Sequence, residues 1–142
     1  MLDLVGVRQR LEIALTPVPV AGAAAFAVAT AGSIRQTPAV WVVPGDETGG
    51  ANTLIGALHQ QVTAPIGVIF AVRNVSDASG DAAITDLAAL RQAARTALLN
   101  WTPDHLPGGA PFRFLRGGLF SFQNAIVWWH DQYQTQYIVR AV

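Results

Sequence analysis

The stretch IVWWHDQYQTQYIV, residues 126–139, is unusually long for a single β-strand and contains neither proline nor glycine. Successive side chains of a strand point to opposite faces, so the stretch divides into two sets. The first set is rich in aromatic residues and is predicted to face helices: Val127, Trp129, Asp131, Tyr133, Thr135, Tyr137 and Val139. The second set is polar in its middle and is predicted to face solvent or a neighbouring protein: Ile126, Trp128, His130, Gln132, Gln134, Gln136 and Ile138.

Further strands are predicted on both sides of the chain's centre. Two short runs, 112–116 and 119–123, flank Gly117 and Gly118, which is the pattern of a two-residue hairpin turn. Residues 39–43 form an apolar run between two prolines and are predicted to be a buried central strand. Residues 57–75 predict one long strand or two short ones, bent at Pro65, where a missing N–H requires an edge or a bulge. The glycine-rich segment 45–56 is predicted to be an exposed loop.

Three helices are predicted from spacing and composition, at about 2–14, 22–30 and 82–99. The third has the clearest pattern, and Asp77, Ser79 or Asp81 could cap its start. Its polar residues, Arg91 among them, are expected to face outwards or towards a partner. Its apolar stripe is Ile84, Leu87, Leu90, Ala94, Ala97, Leu98 and Trp101.

The order of these elements indicates the fold class. Helices and strands are grouped rather than strictly alternating, which is typical of α+β proteins. We therefore expect a single domain over residues 1–142, with a mixed or antiparallel sheet packed on one face by helices.

Composition excludes several functions and favours an assembly. The chain has no cysteine, so it has no disulfide and no thiolate metal site. Only 13% of its residues are charged, and a surface poor in charge is typically covered by partner subunits. The formal net charge is zero, so no long-range field draws the chain to nucleic acid or to an anionic membrane.

No membrane span is predicted. The longest run of alanine and valine, 18–31, contains Pro19 and Gly22 and is shorter than the ~20 apolar residues that a spanning helix needs. The amino end carries Asp3 and no signal-like pattern, so we expect the protein to stay in the cytosol where it is made.

No pattern indicates catalysis, a cofactor or a bound metal. The histidines His59, His105 and His130 lie far apart, without ligand spacing. The glycine-rich segments 44–50 and 106–111 lack the Lys-Ser/Thr of a phosphate loop and the features of a dinucleotide fold. We therefore expect no catalytic residue, no cofactor and no metal, and a protein that is not an enzyme.

Candidate site residues are those of a protein interface. An outward-facing Trp128 beside His130 and Gln132 on a long strand is typical of one, because tryptophan and arginine are enriched at interfaces. Further candidates are Arg73, near the end of its strand, and Arg113 and Arg116 at the predicted hairpin.

Several segments together resemble the phage tail terminator-like family of siphophages and contractile-tailed phages. They span nearly the whole chain and are structural rather than catalytic signatures: VRQRL at 7–11, RQTPAVWVVP at 35–44, FAVRNV at 70–75, LR at 90–91, LLNWTP at 98–103, RGGL at 116–119 and VWWHDQY at 127–133.

The resemblance implies a subunit of a hexameric ring in the virion tail or neck. Such a ring would sit on the last ring of the tail tube protein, stop further polymerisation and present a surface to the head–tail connector, while DNA passes through its lumen without specific binding. The alternatives are another neck or tail-completion component, a related part of a tailocin or gene transfer agent, and an oligomeric binding module unrelated to phages.

Overall fold

The computed structural model describes residues 1–32, 34, 36–74 and 81–142, so the candidate caps Asp77 and Ser79 lie outside the described residues. In chain order its helices and strands are α1 (Leu4–Leu15), β1 (Val20–Ala21), α2 (Ala23–Ala31), β2 (Ala39–Pro44), β3 (Thr48–Asn52), β4 (Leu58–Arg73), α3 (Asp81–Leu98), β5 (Arg113–Gln123) and β6 (Ile126–Ala141).

The strands form one mixed sheet in the order β1-β2-β4-β6-β5, with β3 paired to β4 beyond the end of β2. Strand β1 runs parallel to β2, and the other pairs are antiparallel. The two long strands β4 and β6 pair along their whole length, from Leu58 opposite Ala141 to Arg73 opposite Ile126. The predicted α+β class with a mixed sheet is confirmed.

Pro65 lies within β4 without ending it. Its carbonyl accepts a hydrogen bond from Gly45 N at 2.9 Å, on the side where β2 and β3 pair with β4. The N–H and C=O of one strand residue point to the same side, so the missing donor of Pro65 also points there. At this position β2 has ended at Pro44 and β3 has not begun, and β4 therefore continues unbroken beside β6.

One face of the sheet packs against α1 and α3. The aromatic set of β6 lies on this face, as predicted, and Tyr133 and Tyr137 are buried there. Helix α1 contributes Val7 and Leu11, both fully buried, and its Arg10 bonds through Nε to the Ala97 carbonyl of α3. The two helices thus cover this face together. Ile84, assigned to the buried stripe of α3, is instead 51% exposed, because Ala83 occupies the buried position.

The other face is also partly covered, because α2 packs against it. Phe26 of α2 packs against Trp41 and Trp128 with ring centroids 5.8 and 6.2 Å apart. These two tryptophans stack on each other at 5.4 Å. Trp128 is therefore 9% exposed and belongs with Ile126, which is 6% exposed, to a second apolar cluster, so both are buried rather than facing solvent or a neighbouring protein as predicted. A predominantly alanine helix gives no periodic signal for the face that it buries, which is why the sequence did not place it.

Replacing Phe26 with alanine is expected to lower the free energy of unfolding by about 1–2 kcal/mol, because a half-buried phenylalanine contributes about half of full burial. Val28, on the same helix, is 75% exposed, so Val28→Ala is the matched control and should change little. Urea unfolding followed by tryptophan fluorescence checks both values. Equal effects of the two variants would contradict the packing of α2 on this face.

The hairpin turn lies elsewhere than predicted. Strand β5 runs through Gly117 and Gly118 without interruption and ends at Gln123. The turn to β6 consists of Asn124 and Ala125, which have φ angles of 54° and 60°. Two consecutive residues with positive φ fit the twist of a tight hairpin. A glycine pair favours a turn because glycine commonly supplies positive φ. In the fold, however, Gly117 lets the β5 backbone pass close to the Asp131 side chain.

The segment 45–56, predicted to be a loop, contains strand β3. All five residues of β3 are exposed, so the expected exposure is found, but the strand pairs with β4. The turn between β3 and β4 is held by Asn52, whose side chain bonds to the backbone of Leu54, Ala57 and His59. Pairing of a glycine-rich strand depends on its distant partner, which local composition does not reveal.

Candidate interaction surface

All six interface residues predicted from the sequence lie on the α2 face of the sheet. Three of them belong to β6 and are next-but-one neighbours: Trp128, His130 and Gln132. The register places the three arginines on the same face, because Arg73 is opposite Ile126, Arg113 opposite Gln134 and Arg116 opposite Gln132. No finding tests their role in an interface, which stays a prediction.

The six residues fall into separate surroundings. Arg73 and Trp128 line a groove of about 610 Å³ between α2 and the β5–β6 hairpin. Arg116, His130 and Gln132 line a second groove of about 290 Å³, and Arg116 donates from Nε to Gln132 Oε1 at 2.6 Å. Arg113 is exposed at the start of β5. The ring of Trp128 is covered by α2, where it packs against Phe26, so it is not available as an exposed ring for a partner.

His130 lies over the glycine of the neighbouring strand. A methyl group on Gly67 would come within 2.6 Å of His130 Nε2, so the imidazole occupies the space that a side chain would fill. Burial lowers the pKa of His130 below the 6.5 of an exposed imidazole; the charge of Asp131 raises it, and that of Arg116 lowers it. The imidazole is therefore neutral at physiological pH.

Acidification from about pH 7.5 to about pH 5 is expected to destabilise the fold through His130. The unfolded chain binds a proton on this residue more readily than the folded protein does, since the folded pKa is lowered. The contribution to stability is thus present above the unfolded pKa of 6.5 and is lost as pH falls through the folded value. Thermal midpoints at the two pH values should fall less for His130→Gln than for the original protein. The same acid-induced fall in both proteins would contradict this assignment.

A group of exposed apolar side chains lies on β5, and sequence reasoning did not select it. Five large side chains of this edge strand are each at least 36% exposed: Phe114, Leu115, Leu119, Phe120 and Phe122. Register shifts at Leu115 and Phe120 interrupt the pairing with β6, and large apolar side chains emerge on both faces. The sequence did contain an indication of this surface, because large apolar residues occupy both alternating sets of the strand and no acidic residue separates them. A long apolar edge of this kind is typical of an association surface.

An ion pair between α3 and β6 lies beneath β5. Arg91 of α3 binds both oxygens of the Asp131 carboxylate at 2.9 Å, and Trp129 donates from Nε1 to the same carboxylate at 2.8 Å. Asp131 is fully buried, and the guanidinium of Arg91 lies 4.5 Å above the Trp129 ring. The prediction that Arg91 faces outwards or towards a partner is therefore wrong, because it reaches inwards to the only charge on the inner set of β6.

Gly117 of β5 lies directly opposite Asp131 in the sheet. A side chain at this position would overlap the Asp131 carboxylate and would lie 3.1 Å from both Arg91 Nη2 and Trp129 Nε1. Glycine is therefore required for β5 to pass over the ion pair.

The buried polar groups offer little chemistry. Burial and the charge of Asp131 together raise the pKa of Tyr133 to about 12, against the opposing effect of Arg95 and Arg91. This hydroxyl therefore stays protonated and does not serve as a base at neutral pH. In the described part of the chain, no three side chains of His, Cys, Asp or Glu cluster as metal ligands would. None of the helices described is both long and apolar enough to cross a membrane.

Comparison with known proteins identifies the family. The sequence model of one family, described as phage tail terminator protein, matches residues 1–141, essentially the whole chain. No curated protein matches the chain. The resemblance seen in the sequence is confirmed, and the protein is a structural one. The chain belongs to the phage tail terminator family and is a component of the virion tail.

Proposed function

We propose that the protein forms a hexameric ring on the last ring of the tail tube and thereby stops addition of tube protein. The upper surface of the ring then receives the connector of the filled head, and assembly takes place in the host cytoplasm. Membership of the terminator family supports this role. The observation that carries the self-assembly step is the exposed apolar edge strand β5, because a soluble monomer rarely leaves five large apolar side chains on one free edge.

A ring requires two different surfaces on each subunit. In a head-to-tail contact one patch binds a second, distinct patch, and the ring closes when the rotation between subunits is a simple fraction of a turn. The sheet offers two different edges, β5 on one side and β1 with β3 on the other. This asymmetry favours a ring over a two-fold dimer.

The same ring must let DNA pass. Nucleic-acid binding depends mainly on basic groups that neutralise phosphates, and its strength increases with their number. The chain balances nine arginines with nine acidic residues, so its net charge is zero. We propose that DNA moves through the lumen without specific binding.

Two measurements together test the proposal. The first is the mass of the protein in solution, alone and with purified tail tubes, and the second is negative-stain imaging of tube ends. Closed rings, or protein bound at one tube end with tube length fixed, are expected. A protein that binds the connector but never the tube would instead be another neck component, and one that stays monomeric and ignores tubes would be a binding module.

Serine substitution identifies the surface responsible. Leu119→Ser with Phe122→Ser removes two side chains that are 61% and 55% exposed, and should abolish ring formation. Ile13 of α1 is 81% exposed, which makes Ile13→Ser the matched control with rings retained. Loss of rings in both variants, or in neither, would contradict a role for β5.

A further inference from the structure

The proposed function leaves open which surfaces join the subunits, and the following inference rests on it. We propose that neighbouring subunits join by continuing the sheet, with the outer edge of β5 in one copy pairing with the outer edge of β3 in the next. The occupant of the β5 edge is thus a second copy of this chain, and the contact is head to tail.

Both edges have free backbone groups. Within the described residues β5 pairs with β6 alone from Arg113 onwards, while the bridge between Leu99 and Phe112 covers only the residue before it. Strand β3 pairs with β4 and with no other strand of the described residues, and the one side-chain bond to its glycines is that of the Gly50 carbonyl, which accepts from Gln60 Nε2 of β4 at 2.6 Å. A row of unpaired N–H and C=O groups is a template for another strand, so each edge can accept the other.

The side chains of the two edges complement each other in size. Strand β5 carries large apolar side chains, whereas β3 is Thr48-Gly-Gly-Ala-Asn52 and is exposed along its whole length. Glycine on one strand leaves its neighbour's aromatic ring room to lie across the backbone, which protects otherwise exposed peptide groups. Phenylalanine against glycine therefore fills the interface without overlap, whereas β5 against a second β5 would oppose bulky side chains.

Charge favours the same pairing. Strand β5 contains Arg113 and Arg116 and no acidic residue. Asp46 and Glu47 immediately precede β3 and are exposed. Glu47 is held in place, because Tyr137 donates to it at 2.8 Å and the backbone N of Leu2 at 3.3 Å. Opposite charges on the two edges attract, whereas two β5 edges would bring four arginines together.

Charge reversal tests the pairing. The first variant, Arg113→Glu with Arg116→Glu, makes the β5 edge acidic. The second, Asp46→Arg with Thr48→Arg, makes the β3 edge basic and leaves the contacts of Glu47 intact. Each variant alone should assemble about tenfold or more weakly, because like charges then face each other. An equimolar mixture should restore rings, since every contact is then between opposite charges and the two variants alternate.

Sedimentation velocity of each variant and of the mixture gives the readout, with circular dichroism to establish folding. Arg8→Glu with Glu12→Arg reverses an exposed ion pair on α1 and is the matched control, for which unchanged assembly is expected. Rings of normal strength in both charge variants would overturn the pairing, as would folded monomeric variants whose mixture stays monomeric. Neither result affects the proposed function if the original protein still forms rings on tube ends, whereas failure of the original protein to do so rejects that function itself.

Discussion

Replacing Gly117 with alanine is expected to lower the free energy of unfolding by about 3 kcal/mol or more. The new methyl group would overlap the Asp131 carboxylate and crowd the two nitrogens that bind it. These groups cannot move aside cheaply, because Asp131 is fully buried and its oxygens accept bonds from Arg91 and Trp129. Either β5 must shift or the ion pair must open.

The adjacent Gly118 provides the control. A methyl group there would meet nothing within 4 Å, so Gly118→Ala should change the free energy of unfolding by no more than about 0.5 kcal/mol. Urea unfolding, compared at equal slope, measures both. Comparable losses at the two positions would indicate that the glycine pair forms a turn after all, and would contradict a continuous β5.

Replacing Arg91 with alanine is expected to cost about 3–5 kcal/mol of stability, because it leaves a buried carboxylate without its cation. Both hydrogen bonds to Arg91 are 2.9 Å long, and Asp131 has no access to solvent that could compensate. Arg8→Ala is the matched control, since Arg8 also pairs with a carboxylate, at 2.8 Å, but on the exposed surface of α1. That variant should change stability by less than about 1 kcal/mol.

A second substitution separates charge from packing. Asparagine at position 131 keeps an oxygen for Trp129 Nε1 but removes the buried charge, so Asp131→Asn should recover part of the stability that Arg91→Ala loses. Thermal and urea unfolding of the double variant measure this recovery. If nothing is recovered, the loss comes from the contact between the Arg91 guanidinium and the Trp129 ring rather than from the unpaired carboxylate.

The spacing of apolar residues predicted those helices and strands whose buried and exposed side chains alternate regularly along the chain. Strand β6 alternates between a helix-covered face and a more open one, and its two sets of side chains were assigned correctly except at Ile126 and Trp128, which are buried. Helix α3 and strand β2 were placed to within a residue or two, because each buries a recognisable pattern. The α+β class followed from their order.

Features that depend on distant residues were not predictable. Gly117 is needed because of Asp131, 14 positions later, and local sequence favours the commoner reading of a glycine pair as a turn. Alanine-rich α2 carries little indication of which face it covers, so the burial of Trp128 was missed. The sequence placed candidate interface residues on β4, β5 and β6, but it gave no indication that five large apolar side chains of β5 are exposed together.

The ion pair beneath Gly117 also bears on how tightly subunits can associate. Arg91 ties Asp131 of β6, directly opposite Gly117, to a helix that is itself packed into the core, so the strand on which β5 is paired is held in one conformation before the partner arrives. Binding then loses less conformational entropy than it would with a loosely attached strand. Substitutions on α3, far from any subunit contact, are therefore expected to weaken assembly by making the edge strand mobile.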